Sequence, residues 1–230
     1  MIKMKDKMRA VVKTAPGEGN TEIQEVEVPE PGPEEVLVKN KAISICGTDV
    51  HIYKWNDWAN SRIDTPLIYG HEFVGNVVKT GKDIDYFEPG DYVSGECHIK
   101  CGHCYNCRTG NPHMCENTEI FGVDRTGVFS EYTTIPAENA WRTNRDIPPK
   151  FATVQDPLGN AVHTIHYAGD VVGKDVAVMG LGPIGLMAVA VLKFIGARNV
   201  IGIEHRNEYR MSIAEELGAK LETIDLKQLG

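Results

Sequence analysis

The chain has 230 residues, of which 42% are hydrophobic and 24% charged, and its formal net charge is −8. This composition is ordinary for a globular protein of one large or two small domains. The negative charge argues against nucleic acid or an anionic membrane as the main partner. Neither a secretion signal nor an apolar stretch long enough to span a bilayer is visible, so we expect a cytoplasmic protein.

The first two-thirds of the chain predicts short β-strands. Segments rich in β-branched residues alternate with glycine and proline, which is typical of strands joined by turns. The predicted strands cover residues 8–14, 23–29, 35–44, 72–81, 91–96 and 129–136. Their spacing indicates a β-barrel or a β-sandwich.

From about Asp156 the pattern changes to alternating strands and helices. We predict a strand at 176–180, a helix at 183–195, a second strand at 199–204 and a second helix at 209–218. This alternation indicates a parallel α/β unit of Rossmann type. A doubly wound domain has about six strands, and only the approach to a third strand follows here, so we expect this unit to be incomplete.

Four cysteines form a cluster with the spacing C-x2-C-x2-C-x7-C, at Cys101, Cys104, Cys107 and Cys115. Four thiolates leave no open ligand position, which is typical of a structural zinc site. An iron–sulfur cluster is the less favoured alternative, because the ferredoxin pattern has a different last spacing and a following proline. The nearby His98, His103 and His113 are possible competing ligands, whereas Cys97 is predicted to be a small packed residue.

A second group of metal-binding residue types lies earlier in the chain. Cys46, His71 and Glu72 supply a thiolate, an imidazole and a carboxylate, a set that suits a zinc ion with one position open for substrate. Neighbouring residues of a regular strand point to opposite faces, so both His71 and Glu72 reach one ion only if the chain turns at Gly70. The sequence leaves open whether Glu72 binds the ion directly.

Thr48 and His51 follow Cys46 closely. Residues three apart share one face of a helical turn, so their hydroxyl and imidazole could pass a proton between a metal site and solvent. The alternative is that Thr48 is only the N-cap of a helix.

The segment VAVMGLGPIGLM contains the pattern G-x-G-x-x-G at Gly180, Gly182 and Gly185. It follows a predicted strand and opens a predicted helix, which is the context of a dinucleotide-binding loop. Glu204 follows the next strand, where an acidic residue binds the adenosine ribose and favours NAD over NADP. Arg206 and Arg210 weaken this preference, because an arginine accommodates a 2′-phosphate.

Together these residues resemble the zinc-dependent medium-chain dehydrogenase family. GHE at 70–72, PGDYV at 89–93, the four cysteines and GLGPIG at 180–185 occur in the order expected for that family. Three segments are most similar to its bacterial L-threonine 3-dehydrogenase branch: ICGTDVHIYKWNDWA at 45–59, PAENAW at 136–141 and DPLGNAVHT at 156–164.

The resemblance implies a GroES-like zinc-binding catalytic domain over residues 1–156 and the first part of an NAD-binding Rossmann domain over 157–230. It implies two zinc ions per chain, one catalytic and one structural, and a homotetramer. It implies that Cys46, His71 and Glu72 bind the catalytic zinc, with Asp156 beside it, and that the four cysteines bind the structural zinc. It implies that Thr48 and His51 form a proton relay. It also implies that Ile184, Glu204 and Arg210 contact NAD.

The implied reaction is oxidation of L-threonine by NAD to 2-amino-3-oxobutanoate and NADH. Members of the family are about half again as long, so we expect this sequence to be truncated. Two alternatives stay open: a polyol dehydrogenase of the sorbitol or butanediol type, and a zinc-stabilised fragment without catalytic activity.

Overall fold

A computed structural model describes residues 6–205 and 207–222. Arg206 and the end of the predicted third strand, from residue 223 onward, lie outside the described residues. The chain divides into two compact units, Met1–Asp156 and Pro157–Gly230.

The described part of the first unit is built on antiparallel strands. These are β1 (Lys7–Lys13), β2 (Thr21–Glu27), β3 (Glu35–Ser44), β4 (Leu67–Ile68), β5 (Glu72–Thr80), β6 (Tyr92–Gly95), β7 (His98–Ile99), β8 (Glu119–Ile120), β9 (Tyr132–Pro136) and β10 (Ala140–Arg142). They form a five-stranded sheet in the order β10-β6-β5-β3-β9, a three-stranded sheet β2-β1-β4 and the pair β7-β8.

Alternating side chains of the five-stranded sheet form the main core of this unit. Val36, Val38, Phe73, Val93 and Ile135 are all almost completely buried in one cluster. The pairing of β3 with β5 shifts register twice, with Val78 of β5 unpaired at the first shift and Lys41 of β3 unpaired at the second, so each strand carries one bulge. Its last residue, Ser44, pairs with Glu72, which brings the start of β5 to the segment that follows β3.

Short helices carry much of the connecting chain. They are α1 (Gly47–Lys54), α2 (Asp57–Arg62), α3 (Tyr105–Arg108) and α4 (Pro149–Ala152), with 3₁₀ turns at Pro112–Met114 and Ala137–Asn139. Helix α5 (Gln155–Tyr167) contains the boundary between the two units.

The second unit contains β11 (Asp175–Met179), α6 (Pro183–Ile195), β12 (Asn199–Ile203), α7 (Glu208–Glu216) and β13 (Lys220–Glu222). Its strands lie in the order β11-β12-β13, and both pairs are parallel. Pro183 occupies the first turn of α6, and Gly196 ends that helix with φ of 97°, as the sequence predicted. The predicted fold class, a β unit followed by a parallel α/β unit, is confirmed.

None of the helices in the described residues is both long enough and apolar enough to cross a membrane.

Candidate active site and metal centres

The first cluster of metal-binding groups consists of Cys46, His71 and Glu72. One possible ligand atom from each residue lies within 4.8 Å of those of the others. Cys46 is the N-cap of α1, and Glu72 is the first residue of β5. Gly70 has φ of 91°, a left-handed conformation that turns the chain just before the strand. This turn resolves the geometric conflict between the two adjacent residues His71 and Glu72.

Buried polar contacts surround this cluster. The Asp49 Oδ2 atom accepts the backbone N–H of Cys46 at 2.7 Å, and Asp49 Oδ1 lies 3.9 Å from His71 Nδ1. Ser44 donates its hydroxyl to Glu72 Oε2 at 2.6 Å. Both Asp49 Oδ1 and His71 Nδ1 are buried and lack a hydrogen-bond partner within the described residues. A metal-bound imidazole commonly directs its other nitrogen at a carboxylate, so these contacts fit a zinc ion on the cluster.

The charges of the cluster act on the His71 imidazole. Burial lowers the pKa of His71, but the hydrogen bond with Cys46 and the charge of Asp49 outweigh burial and raise that pKa overall. Burial also raises the pKa of Asp49. A divalent cation would be stabilised by the thiol, imidazole and carboxylate of this cluster, because all three can donate electrons to it.

Helix α1 carries both members of the predicted proton path. Its N-cap is Cys46, so the alternative role of Thr48 as the N-cap is wrong. The Cys46 Sγ atom lies 3.8 Å from Thr48 Oγ1. His51 is exposed one turn later, and its Nδ1 accepts the Asn56 amide N–H at 3.0 Å. A hydroxyl beside the cluster and an imidazole at the surface thus lie on one short helix.

Asp156 is nearly buried close to the same cluster. Its Oδ1 accepts the Cys97 backbone N–H at 2.9 Å. Burial raises the pKa of the Asp156 carboxyl, and the charge of His71 acts in the opposite direction. The position fits the expectation from the resemblance, although its role stays a prediction.

The four predicted cysteine ligands also come together. Their Sγ atoms all lie within 4.8 Å of one another. Backbone N–H groups point at the sulfurs: Cys104 donates to Cys101 Sγ at 3.4 Å, and Cys101 donates to Cys115 Sγ at 3.3 Å. The backbone hydrogen bond of His103, with further donors, lowers the pKa of Cys101 to about 5, which favours the thiolate that a metal binds. His98, His103 and His113 are not members of this cluster.

The glycine loop of the second unit has the backbone geometry of a phosphate cradle. Gly180 has φ of 87°, and a Cβ on Gly185 would lie 2.0 Å from the Gly180 carbonyl oxygen. Gly182 is the N-cap of α6, and a Cβ there would meet no atom within 4 Å. The helix N-terminus therefore faces open space that a pyrophosphate could fill.

Glu204 lies against this loop. Its carboxylate accepts the N–H of His205 at 2.8 Å and the N–H of Leu181 at 3.1 Å. These bonds, with a smaller contribution from the charge of Arg210, lower the pKa of Glu204. Ile184 is partly exposed in the first turn of α6. The residues predicted to bind the nucleotide thus lie near the loop that joins β11 to α6.

Sequence reasoning missed several residues of the first cluster. Asp49 completes a capping box with Cys46, a pattern readable as an acidic residue three positions after the N-cap. The contacts of Ser44 and Asn56 depend on tertiary packing, and no local pattern indicates them. The cluster around Cys97 was also missed, because that residue was interpreted as packing only.

Comparison with known proteins places these sites in context. The alcohol dehydrogenase GroES-like domain matches residues 32–145. An L-threonine 3-dehydrogenase from Pyrococcus horikoshii is 53% identical over 216 residues, which cover 94% of this chain and 61% of that protein. The chain therefore spans about three-fifths of the length of such curated relatives.

Two solved structures are similar along almost the whole chain. A zinc-binding dehydrogenase from Sinorhizobium meliloti, bound to NADP, is 33% identical with a TM-score of 0.86, covering 98% of this chain and 64% of that one. The 2R,3R-butanediol dehydrogenase from Bacillus subtilis is 27% identical with a TM-score of 0.81, covering 95% of this chain and 64% of that one.

Proposed function

We propose that this chain, which belongs to the zinc-dependent medium-chain dehydrogenase family, serves the oxidation of L-threonine by NAD to 2-amino-3-oxobutanoate and NADH. The observation that carries the proposal is the cluster of Cys46, His71 and Glu72, a donor set that leaves a zinc position open for a substrate oxygen. The 53% identity to an L-threonine 3-dehydrogenase supports this substrate.

The two metal clusters have different tasks in this proposal. Cys46, His71 and Glu72 would hold the catalytic zinc, whereas the four cysteines would hold the structural zinc. Zinc supplies a Lewis acid at the first site when bound, and NAD supplies the hydride acceptor. Asp49 would orient His71 through its Nδ1 atom, and Asp156 adds negative charge near the same imidazole.

The proton of the substrate hydroxyl must leave the site during oxidation. Thr48 lies next to Cys46 and would accept that proton through its hydroxyl, while His51 would exchange it with solvent. The Asn56 amide fixes the imidazole of His51, because its Oδ1 accepts the Ala59 N–H and its Nδ2 therefore faces His51 Nδ1. Both relay residues thus lie on α1, and the N-cap of α2 holds the second of them.

The nucleotide would bind at the glycine loop of the second unit. The backbone N–H groups at the start of α6 would receive the pyrophosphate, since Gly182 leaves the space above them open. Glu204 would accept the adenosine ribose hydroxyls, and its negative charge disfavours the 2′-phosphate of NADP. Ile184 and Arg210 would flank the adenosine. A homotetramer in the cytoplasm completes the proposal.

A polyol is the second candidate substrate. The similarity to the butanediol dehydrogenase from Bacillus subtilis favours it, because the two chains share one fold over almost all of this sequence. Both candidates use the same metal chemistry, so only turnover separates them.

The test starts with a fluorescence titration of NADH onto the purified chain, followed by NAD reduction with L-threonine, 2,3-butanediol and sorbitol. We expect saturable NADH binding and a kcat/KM for threonine at least ~10-fold above the polyols, equivalent to ~1.4 kcal/mol. Gly182→Ala should bind NADH more weakly with an unchanged Tm, because its methyl group enters only open space. Polyol turnover without threonine turnover would support the second candidate. Absence of both NADH binding and turnover would contradict the proposal for this chain.

A further inference from the structure

We infer that Gly127, in the loop of residues 122–129, is a positioning residue for the candidate catalytic metal ligands. No residue of this loop belongs to the cluster of Cys46, His71 and Glu72. The loop instead contacts Gly70, whose left-handed turn comes directly before His71. The inference rests on the zinc site of the proposed function and not on its substrate.

Backbone hydrogen bonds hold this loop against the segment that leads to His71. The N–H groups of Gly127, Val128 and Phe129 donate to the carbonyl oxygens of Ile68 at 2.6 Å, Gly70 at 2.9 Å and Tyr69 at 3.0 Å, respectively. The Gly70 carbonyl and the His71 nitrogen belong to one planar peptide unit, so the bond from Val128 fixes the plane from which the His71 side chain starts. The orientation of the imidazole therefore depends on a bond that the loop donates.

The absence of a side chain at Gly127 permits this close approach. A Cβ atom there would lie 2.3 Å from the Gly70 carbonyl oxygen and 2.6 Å from the Cα atom of Gly122. Both of these atoms belong to the backbone and cannot rotate away, so a methyl group would push the two segments apart by roughly 1 Å. Gly127 is not among the glycines with positive φ, so this position requires glycine for space alone.

A buried apolar cluster anchors the loop on its other side. Val123 packs with Ile52 of α1, Ala59 of α2 and Tyr69, and all four side chains are buried. The loop and the two helices thus share one small core. This packing limits how far the loop can retreat from Gly70.

Asp124 forms a second anchor, an ion pair with α2. Its Oδ1 accepts the Nε–H of Arg62 at 3.0 Å, and its Oδ2 accepts an Nη2–H of the same guanidinium at 2.7 Å. Asp124 Oδ2 also accepts the Ile120 backbone N–H at 2.9 Å. Because both anchors hold the loop, a methyl group on Gly127 would displace the turn at Gly70 as well.

A displacement of this size affects a metal site more than it affects the fold. Ligands bind an ion well only when they are held within roughly 0.5 Å of the required geometry. A shift of roughly 1 Å in the peptide that precedes His71 exceeds this tolerance. The loss of metal affinity should therefore exceed what a similar loss of packing causes elsewhere in the unit.

The test compares Gly127→Ala with Gly81→Ala as its matched control. Gly81 is also buried and has no positive φ, and a Cβ there would lie 2.1 Å from the backbone oxygen of Gly32. It follows the last residue of β5, whereas Glu72 is the first residue of that strand. The two variants thus make the same chemical change at different distances from the metal ligands.

We expect both variants to lower the Tm, because each forces two backbone segments apart. Only Gly127→Ala should weaken zinc binding by Cys46, His71 and Glu72, by ~10–100-fold, while the four cysteines keep their ion. Competition with a chromophoric chelator measures this affinity. The absorption of Co²⁺ bound at the same cluster should shift in Gly127→Ala and stay unchanged in Gly81→Ala.

Hydrogen exchange provides an independent measurement on the unchanged loop. Coupling is reciprocal, so an ion that needs the loop in place also holds the loop in place. We expect the Val128 amide to exchange more slowly in the zinc-loaded wild type than in Cys46→Ser, which should keep zinc only at the four cysteines. The Gly81 amide, which donates to the Glu35 carbonyl at 2.8 Å, should exchange equally in both proteins.

Equal zinc affinities in the wild type and Gly127→Ala would overturn the inference, and so would an equal loss of affinity in Gly81→Ala. If Gly127→Ala fails to fold, the exchange of the Val128 amide decides the question, and equal rates in the two proteins would overturn the inference. These measurements need no substrate, so they separate a failure of the inference from a failure of the proposed reaction. A wild-type chain that binds zinc only at the four cysteines would contradict both.

Discussion

At the scale of single residues, Asp49 links two candidate ligands of the first cluster. It accepts the Cys46 N–H and lies 3.9 Å from His71 Nδ1. Asp49→Asn keeps the shape of the side chain but removes the negative charge that holds the imidazole. We expect the affinity of the Cys46–His71–Glu72 site for zinc to fall by ~10–100-fold. Competition with a chromophoric chelator measures this affinity, while the four-cysteine site should retain its ion.

Asp57→Asn is the matched control for this prediction. Asp57 is an exposed acidic residue in the first turn of α2, so the same chemical change there should leave zinc affinity unaltered. If Asp49→Asn bound zinc as tightly as the wild type, the contact with His71 would have no part in holding the metal.

At the scale of elements, a buried lysine connects β1 to α1. Lys13 ends β1 with no exposed surface, and its Nζ donates to the carbonyl oxygens of Gly17 at 2.5 Å, Gly19 at 2.6 Å and Tyr53 at 3.4 Å. Tyr53 lies in the last turn of the helix that carries Thr48 and His51. Lys13→Met retains the apolar stem but leaves these carbonyls without the ammonium donor. We expect the free energy of unfolding to fall by ~1–3 kcal/mol.

Urea denaturation followed by circular dichroism measures this loss. Lys39→Met is the control, because Lys39 is exposed and its Nζ lies over the ring of Tyr132, at 5.8 Å from the ring centroid. Equal midpoints for the two variants would show that the buried ammonium does not stabilise the loop and helix.

An ion pair at the start of β11 and β12 makes a contribution to the free energy of unfolding that depends on pH. Asp175 accepts two hydrogen bonds from Arg198, at 2.8 and 2.6 Å, and one from Asn199 at 2.6 Å. The Arg198 guanidinium, followed by the Asn199 amide, holds the pKa of Asp175 well below its usual range. Because the folded pKa is depressed, this contribution is fully present above the unfolded pKa of about 3.9 and is lost as the pH falls further.

Asp175→Asn should therefore lower the Tm at neutral pH, and its difference from the wild type should shrink progressively as the pH falls below about 4. Melting curves of the two proteins across the acid range measure the effect. A constant Tm difference down to the lowest pH would contradict it. Both side chains are largely exposed, so salt should reduce the difference at neutral pH.

The regular elements were predicted to within a few residues where hydrophobic periodicity was strong, as in β3, β5 and α6. Two-residue strands such as β7 and β8 carry no periodic signal. Helix α5 was not predicted, because its segment was interpreted only for its similarity to the family. The four-cysteine cluster was predictable because its ligands are close in sequence. The contacts of Asp49, Lys13 and Asp124 were not, because they depend on which segments meet after folding. The roles of the site residues stay predictions.

At the scale of the whole molecule, the two predicted zinc centres should differ in what their loss changes. The three-residue centre lies on segments that β3 and β5 already hold by pairing, so the fold there does not need the ion. The four-cysteine lobe contains short elements, α3 among them, with few buried apolar residues. A structural zinc contributes directly to the stability of such a segment.

Cys46→Ser and Cys107→Ser test this division with the same chemical change at each centre. Both variants should lose one zinc ion per chain. Cys46→Ser should abolish the proposed turnover with little change in Tm, because it empties only the proposed catalytic site. Cys107→Ser should lower the Tm by roughly 5 °C or more, since the lobe loses its main cross-link. Metal analysis and thermal melting of both variants decide the matter. A larger loss of Tm in Cys46→Ser than in Cys107→Ser would exchange the structural roles assigned to the two centres.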